Sequence, residues 1–141
     1  MNILAVDDDV AMTELTAMLL RTHGFTVRTA NHARDALKIV AENWPQALVL
    51  DLMMPDMDGR QVCRKIREFS AVPIIILSAL NDPESVATAL DSGADDYLVK
   101  PVPSDVLAAH LKRLMKRTGR LSIPNEAMIH TWNSPTVPAS R

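Results

Sequence analysis

The sequence predicts a doubly wound α/β sandwich: five parallel strands in one sheet, with helices packed on both faces. Three observations carry that expectation. Strand-like and helix-like segments alternate five times before the pattern stops, and repeated strand-then-helix units imply right-handed crossovers and a parallel sheet. The strand-like runs are continuously apolar and often β-branched, as strands buried on both sides are. Four of these runs also end on residues that carry chemistry. Ile3 to Val6 ends on Asp7-Asp8-Asp9, Ala47 to Leu50 on Asp51, Pro73 to Leu77 on Ser78, and Tyr97 to Val99 on Lys100.

Each element has its own signal. After the first strand, Met12, Leu15 and Leu19 recur at helical spacing, and His23-Gly24 supplies a helix end. Phe25 to Thr29 reads as a short second strand. Ala33 to Glu42 is a second helix with Ala36, Leu37 and Val40 apolar. The third strand spans 47–51, and a third helix begins near Gly59 with Val62, Ile66 and Phe69 as its stripe. The fourth strand spans 73–77. Pro83 suits the first turn of a helix reaching Asp91, which Gly93 stops. A fifth strand over 96–99 precedes a fifth helix over about 104–117, with Val106, Leu107, Leu111, Leu114 and Met115 apolar.

The chain of 141 residues, 48% hydrophobic, suits one domain with a sizeable core, assigned to residues 1–119. Residues 120–141 carry Pro124, Pro135 and Pro138 without sustained periodicity, and read as a linker or flexible tail. Met128, Ile129 and Trp132 could form one docking turn there. The net charge of −2 gives no general drive toward nucleic acid or anionic membrane. Cys63 is the only cysteine, which excludes an intrachain disulfide and fits a reducing compartment. No apolar run approaches the ~20 residues that span a bilayer, and no signal peptide opens the chain. A cytoplasmic protein is the expectation.

In an open parallel sheet the carboxyl ends of the strands share one edge, where ligands bind. Asp7, Asp8, Asp51, Ser78 and Lys100 therefore converge. Mg²⁺ takes octahedral oxygen ligation, usually one or two carboxylates with waters and phosphate oxygens, and Asp7, Asp8 and Asp51 can supply it. An isolated acidic triplet would more simply solvate a loop and cap a helix. The other strand ends turn the balance toward a metal for Asp7 and Asp8, and leave Asp9 as the cap. Asp51, aimed at a phosphoryl group, can act as nucleophile and form an acyl phosphate. Lys100 can face phosphoryl oxygens with its charge, and Ser78 can donate to one, as can the Ala79 N–H. Asp56 and Asp58 read as turn and helix-start residues. Tyr97, the only tyrosine, reads equally well as a half-buried strand aromatic.

Together, Asp7-Asp8, Leu50-Asp51-Leu52-Met53-Met54-Pro55-Asp56-Met57-Asp58-Gly59, Ser78-Ala79 and Gly93-Ala94-Asp95-Asp96-Tyr97-Leu98-Val99-Lys100-Pro101 resemble the response-regulator receiver domain of two-component signalling. The resemblance covers residues 1 to about 118. It implies a flavodoxin-like strand order 2-1-3-4-5 and a signalling switch rather than a turnover enzyme. Asp51 would accept a phosphoryl group from a sensor histidine kinase or phosphotransfer protein. Mg²⁺ would be organised by Asp7 (through a water), Asp8, Asp51 and the backbone carbonyl of Met53. Lys100-Pro101 would be cis. Phosphorylation would draw the Ser78 hydroxyl inward, let Tyr97 rotate, and remodel the face formed by helix 4, strand 5 and helix 5.

Met53-Met54-Pro55 and Gly93 to Tyr97 most resemble the winged-helix transcription-factor branch. The 22 residues after position 119 are too few for a winged helix, so no direct DNA binding is expected of this segment, and a truncated linker is the favoured reading of the tail. That branch implies a phosphorylation-dependent homodimer through helix 4, strand 5 and helix 5. Asp96 and Arg117 fit it, whereas His110 stands for an arginine and Val86 for a lysine. The departure puts that dimer in question, or makes it weaker and pH-sensitive. Apolar Met53 and Leu80 beside the site cannot orient water, which implies slow self-dephosphorylation. Lys112, Arg113, Lys116, Arg117 and Arg120 make the last helix basic, which suits its dipole and solvent better than nucleic acid.

Three other functions fit the residues less well. A haloacid-dehalogenase-type phosphohydrolase wants an aspartate two residues after its nucleophile, where Met53 stands. A flavin-binding module wants a glycine- and hydroxyl-rich phosphate loop, which Asp7-Asp8-Asp9 would repel. A receiver that signals without phosphorylation is disfavoured because every required residue type is present.

Overall fold

A computed structural model describes residues 1–56 and 58–117 in full and 118–122 as backbone. Ten elements alternate: β1 (Asn2–Val6), α1 (Val10–Arg21), β2 (Thr26–Ala30), α2 (Ala33–Ala41), β3 (Ala47–Asp51), α3 (Gly59–Arg67), β4 (Ile74–Ser78), α4 (Pro83–Asp91), β5 (Asp96–Val99) and α5 (Ser104–Ser122). The five strands are all parallel, in the order β2-β1-β3-β4-β5, as expected.

Successive strand residues point to opposite faces, so each apolar run feeds two cores. Leu4, Val6, Leu48, Leu50, Ile74 and Ile76 join Ala36, Val40, Val62 and Ile66 of α2 and α3. Ile3, Ala5, Ala47, Val49 and Ile75 join Ala17 and Leu20 of α1 and Leu107, Leu111 and Leu114 of α5 on the other face. Strands buried this way cannot alternate polar and apolar residues, which is why they read as unbroken hydrophobic runs.

Helix ends are fixed locally. The Asp9 carboxylate accepts from the N–H groups of Ala11 and Met12 at the start of α1. Asp58 accepts from Arg60 N–H, while Gln61 accepts from Asp58 N–H. Pro83 opens α4 behind the cap Asp82, whose carboxyl is held below the usual range by the Ser85 N–H bond. Asp56 caps a different helix, accepting from Ala33 N–H of α2.

The α1 face differs from the sequence expectation. Thr13, Ala17 and Leu20 turn to the sheet, and Met12, Leu15 and Leu19 are 37%, 44% and 39% exposed. Small side chains at two of the three inward positions let α1 approach the sheet closely, leaving the larger ones outside. Phe69 and Val106 are likewise exposed. The last helix runs on through Gly119 to Ser122 rather than ending near 117. The docking turn of Met128, Ile129 and Trp132, and the tail assignment beyond residue 122, lie outside the described residues. No helix among the described residues is long and apolar enough to cross a membrane.

Candidate metal and phosphoryl site

The strand ends do converge. Asp7 leaves the end of β1, Asp51 ends β3, Ser78 ends β4 and Lys100 follows β5. Asp7, Asp8 and Asp51 each bring one carboxylate oxygen within 4.8 Å of the others, a group that could hold a metal ion. Lys100 Nζ donates to Asp51 Oδ1 at 3.0 Å and lies 3.6 Å from Asp7 Oδ2. One ammonium therefore lies against two of the three carboxylates, and nothing else cationic is paired with the cluster among the described residues. That imbalance is what a divalent cation would correct, and an all-oxygen donor set suits Mg²⁺.

Electrostatics follow the crowding. Burial pushes the Asp7 carboxyl above the ordinary range; the Asp9 N–H bond works against this, and the Asp51 charge adds to it. Burial alone would lower Lys100. The Asp51 hydrogen bond and the charges of Asp51 and Asp7 outweigh it, and Lys100 is raised.

The backbone holds these groups in place. Lys100 N–H donates to Ser78 C=O at 2.8 Å, and Leu52 N–H donates to Leu77 C=O at 3.2 Å. Gly59 packs directly against the end of β3: a Cβ there would lie 2.8 Å from Asp51 O and 2.9 Å from Leu52 Cα. Only glycine admits that approach. The Lys100–Pro101 bond is cis.

Ser78 is buried, and its Oγ accepts from Leu80 N–H at 3.1 Å. Tyr97 is half-buried, and its hydroxyl donates to Leu80 C=O at 2.7 Å. The two polar groups of one backbone segment at Leu80 thus link the serine and the tyrosine, a contact that no spacing of residues foretells. The Leu80 side chain is 39% exposed, and Met53 is 60% exposed beside Asp51. Asp96 is already engaged within the chain, 2.7 Å from His110 Nδ1 and 3.6 Å from Arg113.

A cavity of about 30 Å³ lies under the site between Asp7, Thr13, Thr16, Asp51 and Lys100. Next to it, an apolar groove of about 420 Å³ runs between α1 and the start of α5, lined by Met12, Leu15, Leu19, Pro101, Val102 and Leu107.

Three arginines of α3 also hold the far end of α4 and the entry to β5, and are not among the expected site residues. Arg60, Arg64 and Arg67 of α3 bond Thr88, Ser92 and Gly93 C=O respectively, and Arg67 also bonds Asp95. Their spacing of four and three residues is the available signal, since it places them on one helix face.

The response regulator receiver domain model matches residues 3–112 of this chain. The transcriptional regulatory protein AfsQ1 of Streptomyces coelicolor is 42% identical over 121 residues, covering 86% of this chain and 54% of AfsQ1. The response regulator MprA of Mycobacterium leprae is 44% identical over 119 residues, covering 84% of this chain and 52% of MprA. This chain spans about half the length of the curated relatives it matches. Among solved structures, the Francisella response regulator 1452 receiver domain superposes with a TM-score of 0.78 at 34% identity, covering 83% of this chain and 98% of that one. The BeF3-activated N-terminal receiver domain of Klebsiella pneumoniae RstA superposes with a TM-score of 0.77 at 31% identity, covering 82% and 99%.

Proposed function

Because this chain belongs to the response regulator receiver domain family, we propose that Asp51 is its phosphoacceptor and that the phosphoryl group comes from a histidine. The observation that carries the reading is the Lys100 ammonium at 3.0 Å from Asp51, with Asp7 and Asp8 gathered beside it. A free Asp51 oxygen attacks phosphorus while the P–N bond to the donor imidazole breaks. The nitrogen leaves with its electron pair and is protonated. Asp51 becomes an acyl phosphate.

Asp7, Asp8, Asp51 and the Met53 carbonyl are the groups that would hold Mg²⁺, which when bound would neutralise carboxylate and phosphoryl oxygens together. Lys100 then shifts its charge to a phosphoryl oxygen. Ser78 releases Leu80 N–H and turns its hydroxyl to another. Loss of that bond loosens the Leu80 segment that Tyr97 holds, and the change reaches the face of α4, β5 and α5. Exposed Leu90, Val99 and Val106 give that face apolar area for a partner, including a second copy. The exposed apolar side of α1, with Val10, Met12, Leu15, Met18 and Leu19, offers a helical kinase or phosphotransfer protein a surface beside the site.

Met53 and Leu80 offer no proton and no orientation to an attacking water, so the acyl phosphate is long-lived and the domain acts as a switch. A phosphohydrolase is not supported for the same reason. Cytoplasmic signalling is the setting this chemistry fits.

Intact mass after incubation with acetyl phosphate and Mg²⁺ tests the reading. One phosphoryl adduct is expected, absent in Asp51→Asn and absent without the metal. An adduct that survives Asp51→Asn would overturn it.

A further inference from the structure

Between Val6, the last residue of β1, and Val10, the first of α1, lie only Asp7, Asp8 and Asp9. This short turn carries two of the three carboxylates grouped at the site. Its aim must be held from outside, because a three-residue connection has few bonds of its own. Asp7 N–H donates to Ala30 C=O at 3.2 Å. Asp9 N–H donates to Asp7 Oδ1 at 3.0 Å. The remaining hold on the peptide joining Asp7 to Asp8 comes from a neighbouring loop.

That hold is Asn31, the residue after β2. Its Nδ2 donates to Asp7 C=O at 2.8 Å and to Thr13 Oγ1 at 2.9 Å. Thr13 is 1% exposed, and its hydroxyl proton goes to Val10 C=O at 3.0 Å. Thr13 Oγ1 can therefore only accept from Asn31, and a carbonyl can only accept. Both acceptors face the same nitrogen, so the amide can have only one orientation. Each of its two N–H groups is committed, one to the turn and one to α1.

We infer that Asn31 is a positioning residue for the cation site, clamping the Asp7–Asp8 peptide to α1 so that both carboxylates point at Asp51. With the amide removed, that peptide can rotate, and Asp8, exposed as it is, gains the freedom to turn away. Partners of metal ligands that act this way typically change affinity by roughly 10–100-fold when lost. Nothing in the spacing of the sequence marks Asn31, since it lies in a loop 24 residues from Asp7.

The inference rests on the Mg²⁺ reading above, and the test separates the two. Mg²⁺ affinity of the full chain is measured directly by titration calorimetry, with Mn²⁺ as a second probe, and stability without metal is measured by urea unfolding. Asn31→Ala is expected to weaken Mg²⁺ about tenfold. Asn31→Asp gives a test of sign: an added negative charge near the site tightens a cation by Coulomb attraction alone, whereas loss of the clamp weakens it. Weakening in both variants supports the clamp. Thr13→Val, which removes one of the two acceptors without touching the loop, is expected to weaken Mg²⁺ severalfold and serves if the Asn31 variants fail to fold. Unchanged affinity in a folded Asn31→Ala or Thr13→Val, or tighter binding by Asn31→Asp, overturns the inference even if urea stability falls. A wild type that binds neither cation overturns the metal reading along with it.

Discussion

Lys100→Met separates charge compensation from phosphoryl chemistry, because methionine keeps much of the length and loses the ammonium. Lys100, Asp51 and Asp7 side chains are 29%, 12% and 15% exposed. An exposed ion pair contributes ~0–1 kcal/mol, and stripping one partner from a fully buried pair costs ~3–5 kcal/mol. This site is largely buried but open at its mouth, so solvent screening keeps the loss at roughly 1–2 kcal/mol. That corresponds to a fall in Tm of roughly 4–8 °C without metal. Saturating Mg²⁺ should shrink the deficit, because the cation then balances the carboxylates that Lys100 balanced alone. Removing the competing ammonium should also tighten Mg²⁺ in the variant. The assay is thermal and urea unfolding over a Mg²⁺ series, with the acetyl phosphate rate measured beside it. Phosphorylation should slow even as Mg²⁺ binds better. Equal deficits with and without Mg²⁺, or a variant more stable than wild type without it, would refute the compensation argument.

Two further outcomes follow from the same geometry. Asp7 is held above its unfolded range mainly by burial, so its protonated form favours the fold. The stabilisation is complete below the ordinary aspartate value of about 3.9 and lost as pH rises through the elevated folded value. Asp7→Asn should therefore gain on wild type as pH rises above about 4 in metal-free urea unfolding, and lose its response to Mg²⁺; a gain that shrinks with rising pH would contradict this. Tyr97→Ala removes the bond to Leu80 C=O and should leave the phosphoryl adduct intact. It should abolish the phosphorylation-dependent change in hydrogen exchange over α4 and β5, and equal loss of adduct and exchange change would count against the switch.

What the sequence made legible was whatever repeats or ends abruptly. Strands buried on both faces announce themselves as runs, and polar residues closing those runs mark the binding edge; hence the amino-acid order alone places Asp51, Ser78 and Lys100 on one edge. The α1 face could not be read in the same way. Periodicity finds the large apolar residues, but a helix packed tightly on a sheet puts Thr13 and Ala17 inward because they are small. The supporting bonds were also hidden. Asn31 to Asp7, Asp56 to Ala33 and Arg67 to Asp95 join residues more than 20 positions apart through ordinary polar side chains. No local pattern encodes such a pairing.

The three α3 arginines bear on how the switch would travel. They tie Thr88, Ser92, Gly93 and Asp95 to α3, and Asp95 also accepts from Ile74 N–H of β4. The far end of α4 and the entry to β5 are thus anchored, leaving the Leu80 segment and Tyr97 as the looser side. The local exchange there is small. Ser78 would give up a neutral bond from Leu80 N–H, a contribution of ~1 kcal/mol, and gain one to a charged oxygen of ~1.5–3 kcal/mol. A difference of about 0.5–2 kcal/mol shifts a two-state population by roughly 2- to 30-fold, whereas moving it from 1:99 to 99:1 needs ~5.5 kcal/mol. The serine alone therefore cannot throw the switch. The remainder must come from the Lys100 contact, from the cation, or from a partner that binds only the shifted face. On the proposed mechanism, a receiver built this way would respond to the sum of what engages it rather than to the serine contact alone.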